Sequence, residues 1–194
     1  MYVPPPIKKP RKFRAPNPGK QDSHFQRPDV SIEAKDVLFT LISEEDARHT
    51  PSLTVTVENE TFHVVPRPFL YEFMMFLDSR TWASIYTTMR REHIKAILDA
   101  ISSYIFAKSE ELRSLDCIIP TIYDIKQCLV TAKGPEKSLI YMSEHYELTP
   151  MSRLWMIDLE EGLVDLAERK IVIPKFTGDC SDRGLIDFII QYGS

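Results

Sequence analysis

The side chains able to do covalent or metal chemistry are few and poorly spaced for it. Five histidines, His24, His49, His63, His93 and His145, lie scattered along the chain. None has the i, i+4 pairing that sets two imidazoles on one helix face toward a zinc ion. Cys117, Cys128 and Cys180 are odd in number, widely spaced and in no CxxC arrangement, which argues against both a disulfide framework and a zinc site. Cys117, ahead of Ile118 and Ile119, reads as a small buried apolar residue, and Cys128 as a helical residue among apolar neighbours. The adjacent carboxylates Glu44-Glu45, Glu110-Glu111 and Glu160-Glu161 read as solvated surface rather than acid/base pairs. Six glycines form neither a GxGxxG nor a P-loop pattern, so no backbone cradle for phosphate is legible. A G-x-S-x-G nucleophile elbow is also missing. The expectation is a protein that is not an enzyme, with no catalytic residue, no cofactor and no metal.

Charge is distributed unevenly. Residues 1–30 hold Lys8, Lys9, Arg11, Lys12, Arg14, Lys20 and Arg27 against Asp22 and Asp29, a net of +5, while the remaining residues carry −9. Half of the fourteen prolines (Pro4, Pro5, Pro6, Pro10, Pro16, Pro18 and Pro28) fall in the same thirty residues. Each removes a backbone donor and biases its predecessor toward extended geometry, so neither helix nor central strand is expected there. At about 3.1 Å per residue such an arm reaches on the order of 90 Å. Its expected role is to grip a partner through Lys8, Lys9, Arg11, Lys12, Phe13, Arg14, Lys20, Phe25 and Arg27. The cations suit phosphate or an acidic protein surface, and the two aromatics suit bases or protein pockets. Lys8-Lys9-Pro10-Arg11-Lys12 also has the density of a nuclear import signal. No apolar run approaches the length of a membrane span, and the N-terminus lacks the apolar core of a secretion signal. The expected setting is a virion or the cytoplasm, with the nucleus as an alternative.

The elements that must carry these residues begin near Ser31. Val37–Ile42 reads as a strand. Leu53, Val55 and Val57 alternate with threonines, and after Glu58-Asn59-Glu60 the alternation resumes at Phe62 and Val64, which predicts a hairpin. Pro68 suits the first position of a helix over Phe69–Leu77 that is apolar nearly all round. Within it, Met74 and Met75 stand out as a possible adaptable interface, although core packing is the commoner role. Ile94, Ile97, Leu98, Ile101 and Ile105 form one stripe of a long helix. Three shorter helices are expected from start signals at Thr121 with Asp124, at Gly134-Pro135-Glu136 and at Thr149-Pro150. Strands at Ile171–Ile173 and Leu185–Ile190 would then form a terminal hairpin. The expected fold is α+β: a small antiparallel sheet with a long helix, then a C-terminal module of three helices and a β-hairpin. The expected divisions are 1–30, 31–115 and 116–194, the last two possibly one domain.

Leu148-Thr149-Pro150-Met151-Ser152-Arg153-Leu154-Trp155-Met156-Ile157-Asp158, continuing to Val164 and followed by strand, loop and strand, resembles the recognition-helix-to-wing stretch of winged helix-turn-helix domains. That resemblance implies a helix read into the major groove, with cations lining helix and wing. Between Pro150 and Lys170, however, Arg153, Arg169 and Lys170 face Asp158, Glu160, Glu161, Asp165 and Glu168, a balance that repels phosphate. The resemblance therefore implies a winged-helix-like module for protein contacts, with Trp155 as a possible interface residue. The function expected from sequence is a non-enzymatic structural subunit of a large macromolecular assembly, such as a virion, phage or ribonucleoprotein, anchored by its arm. Its partners would be protein subunits of that assembly or further copies of itself, with nucleic acid possible through the arm and no membrane. The alternative is a winged-helix DNA-binding transcription regulator.

Overall fold

A computed structural model describes residues 27–107, 114–145, 151 and 153–193. Of the arm residues singled out above, Lys8, Lys9, Arg11, Lys12, Phe13, Arg14, Lys20 and Phe25 lie outside the described residues, as do the Thr149-Pro150 start signal and Glu110-Glu111. In chain order the elements are β1 (Asp29–Ile32), β2 (Phe39–Ile42), α1 (Glu44–Ala47), β3 (Leu53–Val57), β4 (Glu60–Pro66), α2 (Leu70–Arg80), β5 (Trp82–Tyr86) and α3 (Arg91–Phe106). They continue with α4 (Leu115–Ile118), β6 (Thr121–Tyr123), β7 (Leu129–Thr131), β8 (Gly134–Glu136), α5 (Leu139–His145), β9 (Leu154–Asp158), β10 (Lys170–Val172) and α6 (Gly184–Tyr192).

Five strands form a parallel sheet in the order β10-β9-β1-β5-β6. Asp29 of β1 is in register with Trp82 of β5 and with Leu154 of β9, and Ile32 with Ile85 and Ile157. A parallel sheet needs cover on both faces, and its inner strands are accordingly buried: all five residues of β9 and the last three of β1. On one face Val30, Ile32, Ala83, Ile85, Trp155 and Ile157 pack with Phe73 and Leu77 of α2, Ile94, Ile97 and Ile101 of α3, and Leu185 and Phe188 of α6. On the other, Tyr86, Leu154 and Met156 pack with Cys128 and with Leu139 and Met142 of α5. Each fully buried aliphatic side chain of this kind contributes about 1.5–3 kcal/mol.

The antiparallel strands expected from the alternating segments form a separate three-stranded sheet, β2-β4-β3, whose hairpin turns on Glu58 and Asn59 at positive φ. This sheet flanks the molecule, whereas the expected fold made an antiparallel sheet the main one. The winged-helix-like module is overturned outright. Its recognition helix is β9, an inner strand of the parallel sheet, because Leu154-Trp155-Met156-Ile157 is a short apolar run without a polar face and carries no helical period. Its terminal strand is α6, where Leu185 and Phe188 are buried at i and i+3 with Ile189 packed beside them. The expected helix starts fail too: Gly134-Pro135-Glu136 is β8 and Thr121 opens β6, while Asp124 caps a single 3-10 turn at Ile125–Gln127. The long helix read from its apolar stripe is α3.

Candidate functional site

The pairing of β1 with β5 and β9 brings the carboxyl ends of three neighbouring strands level. Glu33 directly follows β1, Thr87 directly follows β5, and Asp158 is the last residue of β9. The ladder extends to the first of them, since the Glu33 amide donates to the Ile157 carbonyl at 3.0 Å. In open parallel sheets this end of the strands, beside a change in strand order, is where ligands bind. The strand order changes direction here, with β1 between β5 and β9.

The fourth member, Lys137, comes from the junction between β8 and α5, and a set of local hydrogen bonds fixes that junction. Val164 donates its amide to the Lys137 carbonyl at 3.1 Å. The Ser138 amide donates to the Tyr86 hydroxyl at 3.0 Å, and the Ser138 hydroxyl donates to Asp165. Asp165 also accepts from the Leu139 amide at 2.9 Å, which satisfies a donor at the start of α5. Lys137 is thereby held pointing at the strand ends, where its ammonium donates to Glu33 Oε2 and, at 3.0 Å, to Asp158 Oδ1.

The two oxygens of Glu33 are not equivalent. Oε1 accepts three hydrogen bonds: from the Ala34 amide at 2.8 Å, the Lys35 amide at 3.1 Å and the Thr87 hydroxyl at 2.7 Å. Oε2 accepts from Lys137 alone among the described residues. Asp158 lies deeper, with no exposed surface. Its Oδ1 also accepts from the Leu159 amide at 2.7 Å, and its Oδ2 lies 2.9 Å from the ammonium without hydrogen-bond geometry. Gly162 packs so tightly against this carboxylate that a Cβ would overlap it.

One ammonium therefore serves two carboxylates in a place water barely reaches. Burial by itself pushes the Lys137 ammonium toward losing its proton, but the attraction of Glu33 and Asp158 and their hydrogen bonds outweigh it, and its pKa rises above the usual 10.5. Asp158 also moves up from 3.8: burial dominates, and the half share of Lys137 only partly offsets it. The two directions pull differently on one ion pair. They agree once the lysine is seen to have two partners and Asp158 a single shared one.

A cavity of about 630 Å³ lies elsewhere, against Arg67, Phe69, Tyr71 and Tyr104, and is lined by none of the four residues. The ion cluster is closed over, with the Glu33 side chain 8% and the Lys137 side chain 4% exposed.

Residues singled out from sequence sit apart from this cluster. Arg27 donates to the Asp78 carbonyl at 3.0 Å and lies over the Trp82 ring. Met74 is fully buried in the main core with Met75 packed at its margin, and Trp155 is buried in β9 with the Arg169 guanidinium 5.1 Å over its ring. Cys117 is exposed rather than buried, and Cys128 is buried just after a 3-10 turn rather than on a helix. The four site residues share no local motif: the sequence spreads them from position 33 to position 158, strand register brings Glu33, Thr87 and Asp158 level, and the β8–α5 junction adds Lys137. The signal that was there is an acid ending an apolar strand twice, Val30-Ser31-Ile32-Glu33 and Trp155-Met156-Ile157-Asp158.

No curated protein matches the chain. Among solved structures, Fcp1, an essential RNA polymerase II CTD phosphatase, is similar at a TM-score of 0.58 and 13% identity, over 78% of this chain and 42% of that one. A fission yeast RNA polymerase II CTD phosphatase, an Fcp1 variant bound to beryllium fluoride, is similar at 0.54 and 12%, over 86% of this chain and 50% of that one. The likeness is one of fold, and the chain spans half or less of the length of these structures. By sequence, residues 35–193 match the family model described as NLI interacting factor-like phosphatase. The match overturns the expectation of a non-enzymatic subunit of a virion or other assembly, and the strand β9, where a recognition helix was expected, overturns that of a winged-helix transcription regulator. The match spans most of the chain and includes the strand ends that carry Thr87, Lys137 and Asp158: the chain belongs to the NLI interacting factor-like phosphatase family.

Proposed function

We propose that the cluster is a reaction centre for phosphate monoesters, with Glu33 as the carboxylate that receives the phosphoryl group. The observation that carries this reading is the meeting of a carboxylate, a hydroxyl and an ammonium at the carboxyl ends of adjacent parallel strands, in a chain of a phosphatase family. Carboxylates serve as phosphoryl acceptors when held in line with the ester. Oε1 of Glu33 is occupied by three donors, so Oε2, with one hydrogen bond and a spare lone pair, is the attacking atom. Attack forms the Oε2–P bond and breaks the bond from phosphorus to the ester oxygen. Water then hydrolyses the acyl phosphate and restores Glu33.

Lys137 is a fixed positive charge for the phosphoryl oxygens rather than an acid, because its raised pKa keeps the proton on nitrogen. The leaving oxygen takes its proton from solvent, and the site favours esters of acidic alcohols. The cluster is closed over, so access to Oε2 requires its cover to open, and turnover is expected to be slow. The nature of the structural neighbours supports a phosphorylated protein segment as the substrate class.

Hydrolysis of p-nitrophenyl phosphate by the full chain tests this. The expected result is turnover that falls by at least about 100-fold in Glu33→Gln, with inorganic phosphate still bound by both proteins. Wild-type chain without turnover, or a Glu33→Gln variant as active as wild type, would remove Glu33 from the acceptor role. Loss of phosphate binding in Lys137→Met but not in Glu33→Gln would separate the binding part of the reading from the transfer part.

A further inference from the structure

Phosphoryl transfer commonly draws on a divalent cation held by carboxylates, which neutralises the developing charge. Magnesium requires near-octahedral oxygen donors at about 2.0–2.1 Å and keeps several waters. The donor set here does not meet that demand. Glu33 and Asp158 are the carboxylates of the cluster, and the space between them is taken by the Lys137 ammonium, which contacts both. Asp158 is walled in on its remaining sides by the Leu159 amide and by Gly162. The neighbours in sequence that touch these carboxylates add no oxygen donor: Leu159 and Lys35 both meet them through backbone N–H groups, and Lys35 is a second cation. Among the described residues no group of three or more His, Cys, Asp or Glu side chains is placed to hold a metal ion.

We propose that this site works without a divalent cation, the ammonium of Lys137 standing where one would bind. The inference rests on reading the cluster as a phosphoryl-handling site, yet it concerns only the donor set. It is therefore tested by metal binding and stability rather than by turnover, and it stands or falls separately from the assignment of Glu33.

The test is thermal unfolding and calorimetric titration of the full chain with Mg²⁺ or Mn²⁺ alone. Wild type is expected to show no heat of binding at millimolar metal and no rise in Tm. Lys137→Ala leaves two facing carboxylates without their cation. This variant is expected to unfold at lower temperature, and Mn²⁺ at about 100 times its Kd is expected to raise its Tm by roughly 5–10 °C. Adding Asp158→Asn to that variant is expected to abolish the rise. Stoichiometric binding of Mn²⁺ by wild type, lost in Asp158→Asn, would overturn the proposal, and so would a folded Lys137→Ala chain indifferent to Mn²⁺. Should Lys137→Ala not fold, the wild-type titration decides alone.

Discussion

Lys137 is the residue on which the cluster depends, because it is the cation serving two buried carboxylates. Removing one partner of a buried pair leaves an uncompensated charge and typically costs 3–5 kcal/mol. Lys137→Met is therefore expected to lose about that much in urea unfolding at neutral pH. Asp158→Asn should behave differently, since it leaves one ammonium facing one carboxylate. The folded-state pKa of Asp158 is raised, so its favourable contribution is full below its unfolded value near 3.8 and is lost as pH rises through the folded value. The stability of Asp158→Asn relative to wild type is accordingly expected to improve as pH rises above about 4, as comparison of urea midpoints at successive pH values would show. Cys128 gives an independent reading of the same surroundings. Burial first, then the nearby charges of Glu33 and Asp124 against the opposing pull of Lys137, push its thiol up to about 11. In the native protein at pH 8, mass spectrometry is expected to find iodoacetamide on the exposed Cys117 and Cys180 and none on Cys128. Beyond an acid at the end of two apolar runs, little of this is legible from residue types. Glu33 has no neighbouring histidine or glycine motif, and Asp158 was counted among the acids of a helix that does not exist.

At the scale of elements, what could be read from sequence was what carries its own period. The alternation around Val55 and Val64 gave β3 and β4, and the stripe from Ile94 to Ile101 gave α3. The strands of the parallel sheet are three to five residues long, too short to establish a period, and β9 and most of β1 are buried on both faces and so show no alternation. They become strands by tertiary pairing, and the site was hidden because it hangs on them. Another tertiary device is Arg67, at the end of β4, whose guanidinium has no exposed surface. It donates to both oxygens of Asp182, at 2.6 and 3.0 Å, and to the Val37 carbonyl at 3.1 Å, with the Phe176 ring on one side. It thus ties the flanking sheet to the segment that launches α6. Gly184, the first residue of α6, abuts that guanidinium so closely that a Cβ would overlap it. A helical Gly→Ala exchange in open space would be favourable by about 1 kcal/mol. Here Gly184→Ala is expected to lower the thermal midpoint instead, and Ala in place of both Gly184 and Arg67 should cost less than the sum of the two single changes.

For the whole molecule, composition correctly suggested a chain able to build a core, and charge arithmetic separated a basic arm from an acidic remainder. Neither quantity distinguishes a fold centred on a parallel sheet from a helical module, because both bury similar fractions of similar residues. The sheet order β10-β9-β1-β5-β6 carries a further consequence for how the chain is made. Among the described strands β1 emerges from the ribosome first, yet it ends between two others: Asp29 must wait for Trp82 on one side and for Leu154 on the other. Until the second arrives, the nascent chain exposes the unpaired edge of β1, and long-range parallel pairing of this kind is intrinsically slow. Stalled nascent chains are therefore expected to stay sensitive to protease until β9 and β10 have cleared the exit tunnel, and to become resistant in one step. Stepwise resistance from the length of β5 onward would show a stable half-sheet. Chaperone capture should be strongest in the interval between.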